Sequence, residues 1–264
     1  MAFRRCNGIV INHDVAGDPG LPAMVFANSL GTDLRVWDAL LPHFAGRFRL
    51  IRYDKRGHGL TDGGNDPFGI ALLADDLAAL LDRLGAGRAV VVGLSIGGMI
   101  AQQLAATRPD LVRALVLMDT AHRIGAAEMW QARIDAVEAG GIASIADAIL
   151  ERWFAAKFRA TRPDELAGWR NMLTRTPKEG YVGCCAAIRD ADLTASTRAL
   201  RIPALCLVGE EDGATPPALV RELAGLIEGA GFRAVPEAGH LPCVEQPEAV
   251  AAAIDGFIRE RAVV

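Results

Sequence analysis

The residues Gly93-Leu94-Ser95-Ile96-Gly97 put a serine between small neighbours, just after an apolar run and at the start of a helical pattern. A strand that turns at once into a helix strains the backbone at the serine and lifts its hydroxyl clear of the sheet. Only small neighbours tolerate that turn, which accounts for Gly93 and Gly97, and Gly98 adds a third. The helix N-terminus leaves N–H groups unpaired beside the hydroxyl, ready for a developing oxyanion. The chemistry indicated is nucleophilic acyl transfer through Ser95. A glycine-rich turn without catalysis is the bland alternative, and the match of pattern with context weighs against it.

A serine hydroxyl at its ordinary pKa is a poor nucleophile and needs a base, itself oriented by a carboxylate. In this strand–turn–helix setting the chain order runs serine, acid, histidine. Asp212 lies past the apolar run 204–208, and His240 lies past the last run, 233–235. Both fall at carboxyl ends of expected strands, where open α/β sheets gather their ligands. Glu210, Glu211 and Asp119 also follow strands; Asp212 is preferred because its loop neighbours the histidine loop in chain order. His13 and His43 precede the serine and His122 reverses the order, and His240 is preferred as the base.

The second oxyanion donor is expected from Asn28-Ser29-Leu30-Gly31-Thr32-Asp33, as the Leu30 N–H working with that of Ile96. The plain alternative is a loop leading into a helix capped by Asp33. Tyr53-Asp54-Lys55-Arg56-Gly57-His58-Gly59 reads as a glycine-rich turn held by an Asp–Arg contact rather than as a substrate site. No zinc-spaced histidine pair and no GxxxxGK[ST] loop occurs, so neither a metal nor a cofactor is expected.

These loops need a rigid frame. Short β-branched runs alternate with longer helical patterns, which is the mark of an α/β chain with a parallel sheet and crossover helices. Strands are predicted at 8–14, 23–27, 47–53, 89–93, 114–118, 204–208 and 233–235. Val90-Val91-Val92 and Leu115-Val116-Leu117 fill successive positions with apolar residues, as in strands covered on both faces. Leu72, Leu73, Leu77, Leu80, Leu81 and Leu84 recur at helical spacing over 70–84, and a second helix over 96–107 stops before Pro109. Between about 125 and 199 the alternation fails, and helical periodicity marked by Trp130, Ile134 and Val137 takes over. The reading is a core of 1–124 and 200–264 with a helical cap, 125–199, inserted over one end of the sheet.

Bulk properties narrow the function classes. The chain has 264 residues, enough for one domain with a large core. It is 51% hydrophobic and 23% charged, with a formal net charge of -4. No basic cluster offers a footprint for nucleic acid or an anionic membrane. Apolar runs are strand-sized, and no signal peptide is expected behind Arg4 and Arg5. Five cysteines without CxxC spacing read as reduced, mostly buried thiols in a cytoplasmic protein, the adjacent Cys184 and Cys185 being small helix-face residues.

The whole chain resembles capped α/β-hydrolases: the Gly93–Gly97 turn, Asp54-Lys55-Arg56-Gly57-His58-Gly59, Asp212 and Ala238-Gly239-His240 all fall where that superfamily has them. More narrowly it resembles the 3-oxoadipate enol-lactonases of the β-ketoadipate pathway. Phe26-Ala27-Asn28-Ser29-Leu30-Gly31-Thr32-Asp33-Leu34-Arg35-Val36-Trp37 carries that likeness, since many superfamily members have His-Gly in place of Asn28-Ser29. Asp119-Thr120-Ala121, Ile124-Gly125 and Trp130 support it. The C-terminal decarboxylase extension of some enol-lactonases is not expected in a chain of this length.

The resemblance implies attack of Ser95 on a small-molecule lactone, with Asp212 holding His240 and the Leu30 and Ile96 N–H groups taking the oxyanion. It also implies a donor for the substrate carboxylate; Trp130 and Arg133 in the cap, and Arg123 at its entrance, are the candidates. For Trp130, plain packing of the cap is an equal alternative. Rival readings are a general small-ester carboxylesterase with perhydrolase side activity, a carbon–carbon bond hydrolase, and a ligand-binding receptor on the same fold. A complete, correctly ordered triad argues against the receptor. Assembly into a homo-oligomer is left open.

Overall fold

The computed structural model describes residues 1–63 and 67–263. Eight strands form one sheet: β1 (Ala2–Cys6), β2 (Ile9–Ala16), β3 (Ala23–Ala27), β4 (Arg49–Tyr53), β5 (Ala89–Leu94), β6 (Val112–Met118), β7 (Ala204–Gly209) and β8 (Gly231–Val235). Their spatial order is β1-β2-β4-β3-β5-β6-β7-β8. The β1–β2 and β2–β4 pairs are antiparallel and every other pair is parallel. The sheet is therefore mostly parallel, as the alternation of runs predicts. β1 was not expected: Phe3, Arg4 and Arg5 are exposed, so this edge strand lacks the apolar signature of a covered one.

Every residue of β3, β5 and β7 is buried, because helices cover both faces of the sheet. The first two are α1 (Ile70–Leu84) and α2 (Ile96–Thr107), with the predicted bounds. α1 buries Leu73, Leu77, Leu80 and Leu81 and stops at Gly85, whose left-handed φ of 57° lets its N–H reach back into the last turn. α2 ends because Arg108 precedes Pro109 and leaves helical geometry.

Between β6 and β7 run α3 (Ala127–Gly140), α4 (Ala146–Trp153), α5 (Ala156–Thr161), α6 (Pro163–Thr174), α7 (Lys178–Arg189) and α8 (Thr194–Arg198). Trp130, Ile134 and Val137 are the buried face of α3, as their spacing predicts. After β7 come α9 (Pro217–Leu226), then α10 (Pro242–Glu245) and α11 (Pro247–Glu260) beyond β8. Among the described residues no helix is long and apolar enough to cross a membrane. All five cysteines are free and buried, and burial pushes the Cys184 and Cys185 thiols up to about 12.

Candidate active site

Because the central strands are parallel, the loops that follow β3, β5, β6, β7 and β8 all open at one edge of the sheet. Those loops carry Leu30, Ser95, Asp119, Asp212 and His240.

Ser95 sits between β5 and α2 with φ 58° and ψ −120°, a left-handed geometry that a non-glycine residue adopts at a cost of about 1–3 kcal/mol. The surroundings hold it there: its N–H donates to the Met118 carbonyl at 2.9 Å, and its carbonyl accepts from the Thr120 hydroxyl at 2.6 Å. Gly97 is required by close approach, since a Cβ there would run into the Ala27 carbonyl. Ser95 Oγ makes no hydrogen bond among the described residues and shares a cavity wall with His240. In unliganded sites that contact commonly tightens only when substrate arrives.

His240 Nδ1 lies 2.9 Å from Asp212 Oδ2, with both side chains buried. Asp212 also accepts from Ala214 N at 2.7 Å, Thr215 N at 3.1 Å and the Thr215 hydroxyl at 2.6 Å. Burial pushes its carboxyl up, but His240 and these donors outweigh burial and pull it down to about 2. Asp119 is different. One of its oxygens accepts from Gly209 N at 2.8 Å and the other is buried without a partner among the described residues. Burial, then the neighbouring Asp212, holds the Asp119 carboxyl well above its ordinary range. An oxygen of each aspartate and a ring nitrogen of His240 lie within 4.8 Å of one another. The carboxylate beside the imidazole is thus Asp212, pulled down, with Asp119, pushed up, behind it. His122 points elsewhere, its Nε2 3.7 Å from Glu222.

The loop after β3 reaches the same edge. Asp33 accepts from Arg35 N at 3.0 Å and caps a short 3-10 turn, Leu34–Trp37. The Leu30 N–H donates to nothing among the described residues, and Leu30 lines the cavity with Ser95. The Ile96 N–H stands at the start of α2, where no intrahelical acceptor exists. The expected Asp–Arg contact inside Asp54–Gly59 does not form. Arg56 pairs instead with Asp76 on α1 at 2.7 Å, and Asp54 accepts from Asn12 Nδ2, Leu34 N and Leu60 N. Besides its own His58 N to Lys55 O bond at 3.0 Å, the turn is tied to three other elements. His58 Nε2 accepts from Gly31 N at 3.0 Å and so braces the Leu30 loop.

The cavity over Ser95 has a volume of about 50 Å³, room for a few waters. Trp130 and Arg133 line it, together with Arg152, Trp153 and Tyr181, which the sequence reading missed. The Trp130 indole N–H is spent on the Ile124 carbonyl at 2.6 Å, so Trp130 offers its ring and not a donor. The Arg133 guanidinium lies 4.6 Å from that ring's centroid. Arg133 has no carboxylate partner within 4.0 Å among the described residues. Arg123, the third candidate, is exposed and does not line the cavity.

The far side of the site is stitched together by backbone. His240 N donates to Trp153 O at 2.8 Å and Gly213 N to Arg152 O at 3.3 Å. Glu245 bridges the two segments, accepting from Gly239 N at 2.7 Å and from Ala155 N at 3.0 Å. Burial pushes its carboxyl up to about 7 in spite of those donors. None of these bonds follows a sequence motif, and all but the Gly239–Glu245 bond join residues far apart in the chain.

Comparison with known proteins gives the same picture. A model of the alpha/beta hydrolase family matches residues 24–253. The chain is 33% identical over 251 residues to 3-oxoadipate enol-lactonase 2 of Acinetobacter baylyi, covering 95% of this chain and 94% of that one. Its structure superposes on the enol-lactonase from Burkholderia xenovorans LB400 with a TM-score of 0.94 at 36% identity, covering 98% and 100% of the two chains. A thermophilic esterase from Thermogutta terrifontis follows at 0.91 and 29%, covering 98% and 99%. With the strained Ser95 turn and the buried Asp212–His240 pair at the carboxyl edge of a mostly parallel sheet, the chain belongs to the alpha/beta hydrolase family.

Proposed function

We propose that the chain opens a small carboxylate-bearing lactone by a Ser95–His240–Asp212 acyl-enzyme route, with 3-oxoadipate enol-lactone of the β-ketoadipate pathway as substrate. The observation that carries this reading is the shared cavity. Ser95, His240 and Leu30 face an arginine, Arg133, that has no acidic partner among the described residues. A cation held without a counter-charge over the nucleophile suits a substrate that brings its own carboxylate. The 33% and 36% identities to enol-lactonases support the same substrate class.

Ser95 Oγ attacks the lactone carbonyl while His240 Nε2 takes its proton, and Asp212 stabilises the imidazolium through Nδ1. The tetrahedral oxyanion is met by the Leu30 and Ile96 N–H groups. Collapse breaks the ring C–O bond, and the proton on His240 passes to the departing enolate oxygen. Tautomerisation of the tethered enol to a ketone makes reclosure unfavourable. Water, deprotonated by His240, then attacks the acyl-enzyme and releases 3-oxoadipate. Residues 125–199 serve as the cap that shields these steps from solvent. No step calls for a metal or cofactor.

Loss of the enol-lactone followed by ultraviolet absorbance, with kcat/KM compared against that for p-nitrophenyl acetate, tests the assignment. A clear preference for the lactone is expected. A preference for the simple ester favours the carboxylesterase reading instead.

A further inference from the structure

Lys55 is the buried cation that the mechanism leaves unused. It follows β4, is 1% exposed, and meets no carboxylate within 4.0 Å among the described residues. Burying an ammonium without a counter-charge is costly, and folds seldom retain one for packing alone. Its Nζ donates instead to two backbone carbonyls of the loop after β3, Ser29 at 2.6 Å and Thr32 at 3.4 Å. Neither carbonyl depends on it. Ser29 O also accepts from Thr32 N at 3.3 Å and from the Thr32 hydroxyl at 2.9 Å, and Thr32 O accepts from Asn28 Nδ2.

The Ser29 carbonyl belongs to the same peptide unit as the Leu30 N–H. A charge-assisted bond to the oxygen of an amide draws electron density from its nitrogen and strengthens the N–H as a donor. It also fixes the plane of the peptide, and with it the direction in which the N–H points. We infer that Lys55 is a positioning residue for the oxyanion hole, polarising and aiming the Ser29–Leu30 peptide so that Leu30 N–H meets the tetrahedral intermediate. This rests on the oxyanion role given to Leu30 above. Deleting a whole oxyanion donor costs about 10²–10³-fold in kcat, so weakening one costs less, about 10–100-fold. Burial brings Lys55 down to about 8, with Cys184, Asp54 and Asp33 facing it, so it stays mostly charged at neutral pH.

The test is Lys55→Met, an unbranched apolar replacement, measured on both the enol-lactone and p-nitrophenyl acetate. The expected result is a kcat lower by about 10–100-fold on both, a KM within about twofold, and a butylboronic acid Ki weakened by the same factor as kcat. The melting temperature should stay level or rise, since the buried charge is gone and both carbonyls keep other donors. A kcat within about twofold of wild type overturns the inference. So does a loss of rate matched by a raised KM or a lowered melting temperature, which marks a structural role. If Lys55→Met does not fold, Lys55→Gln carries the same readouts with the charge removed and a donor kept.

Failure of the underlying readings looks different. Turnover by Ser95→Ala, or a wild type indifferent to the boronic acid, removes the oxyanion reading and this inference with it. A wild-type preference for p-nitrophenyl acetate removes only the lactone assignment and leaves the Lys55 ratio legible on the ester.

Discussion

Exchanging Asp212 and Asp119, the two buried aspartates beside His240, for asparagine separates them by their effect on kcat. Asp212→Asn removes the carboxylate partner of the His240 imidazole, across a 2.9 Å contact from which solvent is excluded. The fall of the Asp212 carboxyl from 3.8 to about 2 is worth roughly 2 kcal/mol, net of a burial that pushes the other way. The gross pull of His240, Thr215 and Ala214 on the Asp212 carboxylate is therefore larger, and asparagine also permits the wrong imidazole tautomer. A loss in kcat of about 10³–10⁴-fold follows, with KM little changed. Asp119→Asn keeps an oxygen to accept from Gly209 N, and its amide takes the place of the upward-shifted carboxyl that faces Asp212. Its kcat should stay within about threefold of wild type, the scale of one neutral hydrogen bond. Single-turnover rates on p-nitrophenyl acetate, with melting curves to verify folding, decide the matter. The reverse ranking, with Asp119→Asn the crippled variant, would refute the assignment of Asp212.

Two further outcomes follow from the cavity and its attachments. Arg133→Met should raise KM for the carboxylate-bearing lactone by about 10–100-fold, the worth of a charged hydrogen bond, while leaving p-nitrophenyl acetate unaffected. Equal loss on both substrates would show that Arg133 only packs against Trp130. The folded chain holds the Glu245 proton up to about pH 7, whereas the ordinary value is 4.5. Its contribution to stability is therefore full below about 4.5 and is lost as the pH rises through 7. Melting temperatures of wild type minus Glu245→Gln should decline across that window, and a flat difference would sink the idea.

The sheet was legible because burial on both faces leaves its mark on every residue of a strand. β3 matches its predicted bounds for that reason, whereas α1 and α2 match theirs because Gly85 and Pro109 stop them. β1 escaped because Cys6 is the one buried residue of its five, so backbone pairing carries most of its attachment. Its pairing from Ala2 against His13 to Cys6 against Ile9 asks nothing of the side chains, and Phe3, Arg4 and Arg5 remain exposed. A strand of that kind writes no apolar pattern to be found.

The site was legible in proportion to how local its physics is. Ser95 is announced by its neighbours, since the residue at φ 58° is flanked within five residues by Gly93 and Gly97, although the Ala27 carbonyl that Gly97 approaches and the Met118 and Thr120 groups that hold the turn come from other segments. Asp212 and His240 are announced by fold order, one step less local. Beyond that, residue type no longer predicts partner. Asp54, Lys55 and Arg56 stand side by side in the sequence and suggest an internal ion pair, yet each faces a different element. Asp54 reaches Asn12 in β2, Lys55 the loop after β3, and Arg56 reaches Asp76 in α1. Successive side chains leaving a strand end point in different directions, so adjacency in sequence is weak evidence for contact in space. The same limit hid Arg152, Trp153 and Tyr181, whose place in the cavity wall depends on how α4 and α7 pack rather than on any motif. It also explains why Trp130 was read as a donor to substrate: only the fold reveals that its N–H is already committed to Ile124. Chemistry carried by strained turns can be read from the chain, whereas specificity carried by packed side chains waits for the structure.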